Sequence, residues 1–497
     1  MITPYSFQPY LQYPSGESWL SSIESRIFEK ITQGQSNSES IRALLEKVSG
    51  TWRILADQSA KFEPRLVSYN AYNQRVDLVE MPAQTLQILQ EVYGLHPFSK
   101  SHPFWFRYLL NYILSKNGES GVCCSLACTD GMVQVLNEFS QGANQKILSF
   151  LEEGKEGGYV HGAQFITEIQ GGSDVGRNQL LARPTKDDSF QLFGEKWFCS
   201  NIIADYFLVT ARPEGNPEGP KGIALFLVPA YREKGNRNGY QIHRLKNKLG
   251  TRNLPTAEVC FEGAIAYPVG PLDKGLSTII RVVVTCSRIH SALTSAGFLQ
   301  RAIADATRYC QFREVFGKPV SAYPLAAKEL KEIQHIADRQ IAGTLDLIEQ
   351  KYLRLKETSA QERLSWRIFV MLNKMAVTRE SADGIHRAIQ LYAGNGIEHE
   401  FSPTPRLFND AVINEVWEGP HHLLISNAFE DLKTSKISAK QFLSYLQITN
   451  TELIHDLQEC LNPSENGFQL DQSLCEFELL AFRIIHTFQE NALSRLG

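Results

Sequence analysis

A carboxylate stands where a helix must end in residues 414–422, NEVWEGPHH. Proline disfavours the α conformation in the residue before it, so the helix should stop at about Glu418, just before Gly419 and Pro420. A carboxylate held beside Trp417 and away from water could act as a general base and remove a proton from a substrate carbon. The same residue could also be an ordinary solvated glutamate at a helix end. The rest of the chain has to decide between these two interpretations.

Two segments in the middle of the chain combine glycines, hydroxyl groups and aromatic rings. In FITEIQGGSDVGRN, residues 165–178, Thr167 and Ser173 bracket a Gly-Gly turn, and paired glycines let a backbone approach a flat or anionic ligand closely. In GEKWFCSN, residues 194–201, two aromatic side chains precede a small hydroxyl, and aromatic faces pack well against a conjugated ring. Taken singly, the first segment is also typical of a capped turn and the second of a core strand.

Two later segments each follow a long helical pattern. In FREVFGKPV, residues 312–320, the guanidinium of Arg313 at a helix end could clamp a pyrophosphate, or could simply complement the helix dipole. In IQLYAGNGIEHEF, residues 389–401, Gly394 and Gly396 are plausible left-handed caps. Capping does not explain Gln390, whose amide could face a ligand or water.

The pattern of apolar residues changes along the chain and indicates which secondary-structure elements position these residues. Apolar spacings of three and four predict helices in the first part and again, over longer stretches, in the third. Between them lie short β-rich runs separated by Gly, Asn and Pro, which are typical of a compact barrel or sandwich. We therefore predict a mainly α fold with an inserted β domain: an N-terminal helical domain (1–160), a middle β-barrel (161–277), a C-terminal four-helix bundle (278–432) and a helical C-terminal extension (433–497).

Composition narrows the possible classes of function. The chain has 497 residues, of which 43% are hydrophobic and 21% charged, and its formal net charge of -4 offers no electrostatic footprint for nucleic acid. We found no run of about 18 apolar residues and no signal-peptide pattern, so we expect no membrane association and a cytoplasmic location. The nine cysteines suit neither a zinc site nor a disulfide framework, so we expect buried thiols and no metal.

The motifs together carry a resemblance that none of them carries alone. ITEIQGGSD, GEKWFCSN, RLKNKLGTRN, FREVFGKP, QLYAGNG and PRLFNDAVINEVWEG follow one another as in the acyl-CoA dehydrogenase family, and the resemblance covers at least residues 160–432. The chain is similar in particular to the bacterial alkylation-response (AidB-type) branch of that family. PRLVSYNAYNQRVD, residues 64–77, is among the segments that point to this branch.

The resemblance implies FAD as cofactor and assigns residues to it. In the first segment, groups around Ile166, Thr167 and Ser173 would hold the isoalloxazine and the pyrophosphate. In the second segment, Phe198 and Ser200 would line the other side of the flavin. A second set would reach the FAD of a neighbouring subunit, namely Arg313, Val315, Phe316, Gln390 and Gly394. Binding across subunits requires a homo-oligomer, in this family usually a dimer or a tetramer.

The resemblance also places Glu418 at the position of the family's catalytic base. Such a base removes the proton α to a thioester carbonyl, the β-hydride passes to flavin N5, and electrons leave to an electron-transfer flavoprotein or another acceptor. A backbone N–H at the base and a flavin ribitol hydroxyl would stabilise the enolate. Some members carry the base on an earlier helix, before an Arg; here that position is Ser287, which is not acidic, so Glu418 is the only matching base. Arg288 would lie close to the active site and receives a supporting catalytic role.

Several departures from the family pattern bear on substrate rather than on cofactor. Pro420 stands where many members have Thr, which removes a hydroxyl near the flavin, and Ala393 stands where Gly is usual. Ile169 replaces a common Pro, as in the alkylation-response branch. His421 and His422 are unusual after the Glu-Gly turn and could be solvated or could narrow the site.

Three alternatives to an acyl-CoA dehydrogenase stay open at this point. A dehydrogenase could act on an acyl group held by a carrier protein, which the sequence does not separate from a CoA substrate. A flavin monooxygenase usually lacks the glutamate, so Glu418 argues against it. A DNA-associated protective flavoprotein would need a basic C-terminal region, whereas residues 433–497 contain five Lys/Arg and eight Asp/Glu, so we do not expect nucleic-acid binding.

Overall fold

The computed structural model describes residues 6–32, 38–139, 141–156, 158–232, 235–354, 359–462 and 467–496. Residue contacts divide the chain into two compact units. We call Met1–Ile54, Tyr112–Gly118 and Ser291–Gly497 the helical unit, and Leu55–Asn111 and Glu119–His290 the barrel unit.

Among the described residues, the helical unit contains helices and one short hairpin at residues 314–319, and the other strands belong to the barrel unit. The helices are α1 Ser22–Thr32, α2 Ser38–Lys47, α3 Arg53–Ser59, α4 Ala83–Tyr93, α5 Phe106–Asn117, α6 Ser120–Phe139, α7 Ala143–Glu153, α8 Gly275–Thr278, α9 Thr285–Phe312, α10 Pro324–Arg354, α11 Ala360–Tyr392, α12 Thr404–Val416, α13 His421–Thr434, α14 Ala439–Tyr445, α15 Thr451–Leu461 and α16 Gly467–Ser494. The strands are β1 Arg65–Tyr69, β2 Arg75–Glu80, β3 Gly162–Phe165, β4 Leu181–Pro184, β5 Phe190–Ser200, β6 Tyr206–Pro213, β7 Ala224–Pro229, β8 Tyr240–Leu245, β9 Thr256–Pro268, β10 Glu314–Val315 and β11 Lys318–Pro319.

The barrel unit is built around a closed sheet. Strands β6, β4, β5, β9 and β7 pair in that order, and β7 pairs back onto β6, so the five strands close into a barrel. The pairs are antiparallel except β4 with β6, while β3 adds to β6 in parallel and β8 adds to β9. Phe165, Phe207, Phe226 and Phe261 fill the interior and are all at most 1% exposed. The middle β-barrel predicted from the sequence is therefore confirmed.

The pairing of β5 with β9 shapes the segment GEKWFCSN. Register is regular from Phe193 to Lys196 and resumes at Cys199, so Trp197 and Phe198 lie in a bulge. A bulge re-aims side chains and interrupts the inward and outward alternation of a strand. Accordingly Phe198 is 47% exposed although its neighbour Cys199 is fully buried.

Part of the N-terminal region differs from the helical expectation. Residues 64–77 contribute to an antiparallel hairpin, β1–β2, in which Asn73 takes a positive φ and the Asn70 side chain accepts from the backbone of Tyr72 and Gln74. The side chain of Asn70 thus substitutes for backbone partners in the turn. This hairpin was not predicted; the alternation in RLVSY and the Asn-rich turn were the signals available.

Four helices form the core of the helical unit. Buried side chains of α9, α10, α11 and α12 share one cluster, which includes Leu299, Ile333, Ile385 and Leu407. Helix α9 repeats apolar residues at spacings of three and four, and these residues are all at most 3% exposed: Ile289, Ala292, Leu293, Ala296, Leu299, Ala302, Ile303 and Ala306. The four-helix bundle is confirmed, and the C-terminal extension folds as helices α14 to α16.

One helical stretch, Gly275–Phe312, has the length and apolar composition that crossing a membrane would require. Of its most apolar window, 67% is buried inside the protein, which is typical of a core helix. The division into four domains at 160, 277 and 432 stays a prediction.

Candidate functional site

Glu418 lies in a tight turn between two helices of the helical unit. Helix α12 ends at Val416, two residues before the predicted stop, and α13 begins at His421 after Pro420. Glu418 has a φ of +57° and Gly419 a φ of +106°. A non-glycine residue rarely adopts such a conformation, and strained residues of this kind cluster at functional sites. The Glu418 side chain is partly buried, as is that of Trp417.

A buried lysine fixes this turn from the neighbouring helix. Lys374, on α11, is 0% exposed, and its Nζ donates to the carbonyl oxygens of Glu415 at 3.0 Å and Gly419 at 2.9 Å. The last carbonyls of a helix lack partners within the helix, and a cation there also complements the helix dipole. Lys374 therefore holds the backbone on both sides of Glu418.

Helix α12 is anchored a second time, one turn before Glu418. The Asn414 side chain donates to Ser295 Oγ of α9 at 3.0 Å, and both residues are buried. The position of the Glu418 turn is thus set by α9 and α11 together.

In the barrel unit the two predicted flavin segments lie side by side. The backbone N–H of Trp197 donates to the Thr167 carbonyl at 2.9 Å, so the loop after β3 runs along the bulge of β5. Ile166 and Thr167 are half-buried, and Ser200 Oγ lies 3.1 Å from Thr256 Oγ1 of β9. Four of the five residues assigned to this part of the site, Ile166, Thr167, Phe198 and Ser200, are therefore on adjacent segments.

A buried ion pair joins the same two segments. Lys196 Nζ donates to Glu168 Oε1 at 2.8 Å, to the Ile166 carbonyl at 3.0 Å and to Thr210 Oγ1 at 3.1 Å. Glu168 also accepts from the backbone of Gln179. Burial lowers the pKa of Lys196 from its usual value, whereas Glu168 acts in the opposite direction. Sequence reasoning missed this pair, although both residues stand inside the motifs ITEIQGGSD and GEKWFCSN.

The outer side of the bulge carries aromatic and cationic groups. Lys246 Nζ lies 3.3 Å from the centroid of the Trp197 ring and 4.6 Å from that of Phe198, and it pairs with Glu258 at 2.6 Å. Lys246 belongs to the motif RLKNKLGTRN, so a third motif meets the first two here. A cation over aromatic faces is a favourable contact and holds both rings in place.

The two glycines of the first segment have different roles. A Cβ on Gly171 would lie 2.3 Å from Asn178 Oδ1, so packing requires glycine there. A Cβ on Gly172 would meet only Thr167 Cγ2, at 3.6 Å. Gly172 and Ser173 are exposed, and Ile169 is 68% exposed. The backbone from Gly172 to Ser173 is thus open to approach.

Arg288 is buried near the start of α9, in the barrel unit. The preceding residue, Ser287, accepts a hydrogen bond from Gln164 Nε2 of β3 at 3.0 Å. Two residues further on, His290 donates to the buried carboxylate of Asp130 at 2.9 Å, which also binds Arg107 at 2.9 Å. Burial alone would raise the pKa of Asp130, but Arg107 and His290 hold it well below its usual range. This network, which the sequence did not reveal, fixes the helix that carries Arg288.

The second predicted set lies at the far end of the helical bundle. Arg313 follows α9 and leads into the hairpin β10–β11, whose turn residues Phe316 and Gly317 both have positive φ. The Val315 carbonyl accepts from the Tyr323 hydroxyl at 2.7 Å, and Phe316 is 98% exposed. The hairpin therefore presents Phe316 to its surroundings on a rigid support.

Gln390 and Gly394 lie at the end of α11, and both are exposed. The prediction that Gly394 and Gly396 are left-handed caps was wrong, because neither has a positive φ; instead Ala393 ends the helix with a φ of +52°. Gly396 is needed for packing, since a Cβ there would lie 2.2 Å from the Ile389 carbonyl.

Within the helical unit, the second predicted set lies together at one end of the bundle, away from Glu418. Tyr309 of α9 and Tyr392 of α11 have ring centroids 4.6 Å apart, so the two helix ends that carry the set are neighbours. Lys374, which contacts the Glu418 turn, lies about 24 Å back along α11 at 1.5 Å per residue. Glu418 and the second set are thus at different ends of one bundle.

Comparisons with known proteins cover most of the chain. The family model described as acyl-CoA dehydrogenase, middle domain, matches residues 163–264, and the one described as acyl-CoA dehydrogenase, C-terminal domain, matches residues 273–432. Together they account for more than half of the sequence.

Two relatives are similar over about three quarters of the chain. Acyl-CoA dehydrogenase family member 11 of Caenorhabditis elegans is 30% identical over 76% of this chain, and the match spans 64% of the worm protein. Putative acyl-CoA dehydrogenase AidB of Escherichia coli is 29% identical over 73% of this chain and 68% of its own length.

Solved structures show the same fold. The Bd2924 apo-form gives a TM-score of 0.84 at 24% identity and covers 97% of this chain and all of that one. Caenorhabditis elegans ACDH-11 in complex with C11-CoA gives 0.82 at 24% identity, covering 99% and 88%. Butyryl-CoA dehydrogenase from Megasphaera elsdenii gives 0.61 at 20% identity, covering 78% and 98%.

Proposed function

Because the chain belongs to the acyl-CoA dehydrogenase family, we propose that it is an FAD-dependent oxidoreductase that dehydrogenates an acyl thioester between its α and β carbons. The observation that supports this proposal most is Glu418, a carboxylate at positive φ whose flanking carbonyls are bound by Lys374. Both features favour a carboxylate that is kept in one orientation rather than a solvated surface group.

The barrel unit suits a flat cofactor. Phe198 and Ile169 expose apolar surface beside the open backbone of Gly172 and Ser173, and the Thr167–Trp197 hydrogen bond keeps the two segments in register. Family members are flavoproteins, and Ile166, Thr167, Ser173, Phe198 and Ser200 would hold the FAD. When bound, FAD supplies the acceptor for the two electrons that leave the β carbon.

The residues of this chain would handle the α-proton. The Glu418 carboxylate would take that proton from the substrate, while Lys374 keeps the turn from relaxing and the peptide N–H groups near the base would face the thioester oxygen. Arg288, buried at the start of α9, keeps the supporting catalytic role that the family resemblance implies.

The substrate class follows from the same chemistry. An acyl thioester has an acidic α-proton, and the worm protein of similar fold was solved with C11-CoA. We propose an acyl-CoA, with a carrier-bound acyl group as the alternative; a prolyl acyl carrier protein oxidase shares the fold at a TM-score of 0.58. An electron-transfer flavoprotein or another acceptor would reoxidise the protein.

We further propose a homo-oligomer, dimer or tetramer. Phe316 and Ile397 are 98% and 74% exposed at the end of the bundle that carries Arg313 and Gln390. Because that end is remote from the Glu418 turn within the helical unit, these residues are suited to a cofactor held by a neighbouring subunit.

The similarity to AidB does not extend to a basic tail. In residues 433–497, Arg483 pairs with Asp456 at 2.7 Å and Arg495 with Asp346 at 2.9 Å, so two of the five basic groups are already neutralised. We therefore expect no nucleic-acid binding.

All nine cysteines are free thiols, which supports a reducing compartment, the cytoplasm.

Anaerobic titration of the purified, FAD-loaded protein with a panel of acyl-CoAs of different length and branching tests the proposal. We expect at least one thioester to bleach the flavin absorbance in stoichiometric amounts. The same acyl groups on a phosphopantetheine carrier protein separate the two substrate forms. A panel in which no thioester reduces the flavin would overturn the dehydrogenase assignment.

A further inference from the structure

Two histidines that follow the Glu418 turn lie against a carboxylate of the C-terminal extension. His421 and His422 are the first two residues of α13, and Glu478 lies on α16. One ligand atom from each of the three side chains lies within 4.8 Å of the other two. From this cluster we propose a binding site for a divalent transition metal of the zinc class.

The ring of His421 is placed for such a role. Its Nε2 lies 2.5 Å from Glu478 Oε1, and its Nδ1 is buried without a hydrogen-bond partner among the described residues. A metal ion needs a ring nitrogen without a proton, so binding at Nε2 would leave the single proton of the His421 ring on Nδ1 and would replace the hydrogen bond to Glu478. No other hydrogen bond of these described groups has to break.

The scaffold around the cluster is rigid. The Phe482 ring, one turn after Glu478 on α16, lies 5.9 Å from the His421 ring at an interplanar angle of 28°. One turn further, His486 Nε2 bonds to Glu380 of α11 at 2.6 Å. The face of α16 that carries Glu478 is therefore fixed against the bundle, which lowers the cost of organising ligands.

The donor set suits zinc-like ions. Two imidazoles and one carboxylate are common ligands of Zn²⁺, and the carboxylate offsets the charge of a cation beside a helix N-terminus. His422 is exposed and the Glu478 side chain is 41% exposed, so a fourth position is open to water. The ion would tie α16 to the turn that carries Glu418.

Two other clusters of potential ligands are less suitable. At Asp130, Cys286 and His290 the carboxylate already binds Arg107, and both ring nitrogens of His290 are engaged, by Asn111 and Asp130. A cation there would face the guanidinium. Glu195, His243 and Cys260 lie on the surface of the barrel unit, with 4.0 Å between His243 and Glu195 and no buried nitrogen.

Calorimetric titration of Zn²⁺ alone into the untagged, EDTA-treated full-length protein tests the site. We expect one saturable equivalent in the wild type and at least a tenfold weaker affinity in His422→Ala and in Glu478→Gln. His455→Ala is the matched control, since His455 is an exposed histidine that also has a carboxylate, Glu459, within 3.5 Å. It should bind as the wild type does.

Thermal unfolding gives a second readout. Zn²⁺ should raise the midpoint of the wild type and of His455→Ala, and should leave that of His422→Ala unchanged. The proposal is overturned if the wild type shows no saturable binding, or if His422→Ala binds with unchanged affinity. Neither result depends on whether a thioester reduces the flavin, so the metal site and the dehydrogenase assignment fail separately.

Discussion

At Glu418 the backbone adopts a conformation that costs about 1–3 kcal/mol for a residue with a Cβ. Such strain persists only where the surroundings determine it. Here the determinant is Lys374, which binds carbonyl groups on both sides of the glutamate. The orientation of the proposed base thus depends on a residue that touches no substrate.

Lys374→Met should keep the FAD but lower kcat by roughly tenfold to a hundredfold, because a small displacement of a base is costly. It should also lower the free energy of unfolding by about 1–3 kcal/mol, since two carbonyls lose their partner. Stopped-flow flavin reduction and urea unfolding measure the two effects.

Arg379→Ala is the control for this change. Arg379 pairs with the Glu415 side chain on the exposed side of the same helix end, at 3.1 Å, and contributes at most about 1 kcal/mol. It should leave flavin reduction unchanged. A Lys374→Met protein that folds and reduces its flavin at the wild-type rate would show that the lysine is only structural.

The sequence was informative about Glu418 and silent about Lys374 for a physical reason. The Gly-Pro that follows Glu418 marks the end of its helix locally. Lys374 lies 41 and 45 residues from the two carbonyls it binds, and only the packing of α11 against α12 brings them together. In the same way, the Glu168–Lys196 pair joins two motifs whose contact depends on the barrel.

At the scale of elements, the two glycines of the loop after β3 have different roles: Gly171 is needed for packing, and Gly172 leaves the backbone open to a ligand. Gly171→Ala should lower the free energy of unfolding by about 1–3 kcal/mol, because its Cβ would overlap Asn178 Oδ1. Gly172→Ala should change it by less than about 0.5 kcal/mol. Denaturant unfolding of the two variants compares them directly; equal destabilisation would contradict the roles inferred for the two glycines.

Glu380 links three helices through a mostly buried carboxylate, which binds Arg339 of α10 and His486 of α16, each at 2.6 Å. Burial alone would raise the pKa of Glu380, but His486 and Arg339 lower it below the usual 4.5. The folded state therefore binds fewer protons than the unfolded state. The contribution of Glu380 to the free energy of unfolding is therefore complete above about pH 4.5. It is lost as the pH falls through the pKa that Glu380 has in the folded protein.

Glu380→Gln should therefore lower the free energy of unfolding by about 1–3 kcal/mol at neutral pH, and by progressively less as the pH falls below about 4.5. Urea unfolding over a pH series measures the difference. Glu349→Gln, which removes only the exposed pair with Lys30, should show no such trend. A constant difference between wild type and Glu380→Gln at all pH values would contradict the assigned pKa shift.

Elements were predictable where their apolar side chains are buried. Helix α9 repeats apolar residues at spacings of three and four, and β6 and β7 are short continuous apolar runs that are buried along nearly their whole length. The β1–β2 hairpin was missed because its short strands are only partly buried, so the alternation in RLVSY is a weak signal beside the helical patterns around it. The cap of α11 was misplaced because Ala393 adopts a conformation that favours glycine, which no local pattern signals.

At the scale of the molecule, the exposed hairpin β10–β11 would form a contact between subunits of the proposed oligomer. Phe316→Asp should dissociate the oligomer and release FAD, because a carboxylate would replace an apolar contact between subunits. Analytical ultracentrifugation and the flavin content after gel filtration measure both.

Tyr72→Asp is the control, since Tyr72 is 84% exposed at the tip of the other hairpin, β1–β2. It should leave the oligomer and its flavin intact. If Phe316→Asp keeps both the assembly and the FAD, the cross-subunit role of this hairpin is wrong.

The central claim is that Glu418 is the base of a flavin-dependent thioester dehydrogenase. Its most direct test is the anaerobic rate of flavin reduction by an active acyl-CoA in Glu418→Gln, which removes the base with little change of shape. We predict a protein that retains its FAD and is reduced at least about a hundredfold more slowly than the wild type. Reduction at the wild-type rate would contradict the account and return Glu418 to the role of an ordinary residue at a helix end.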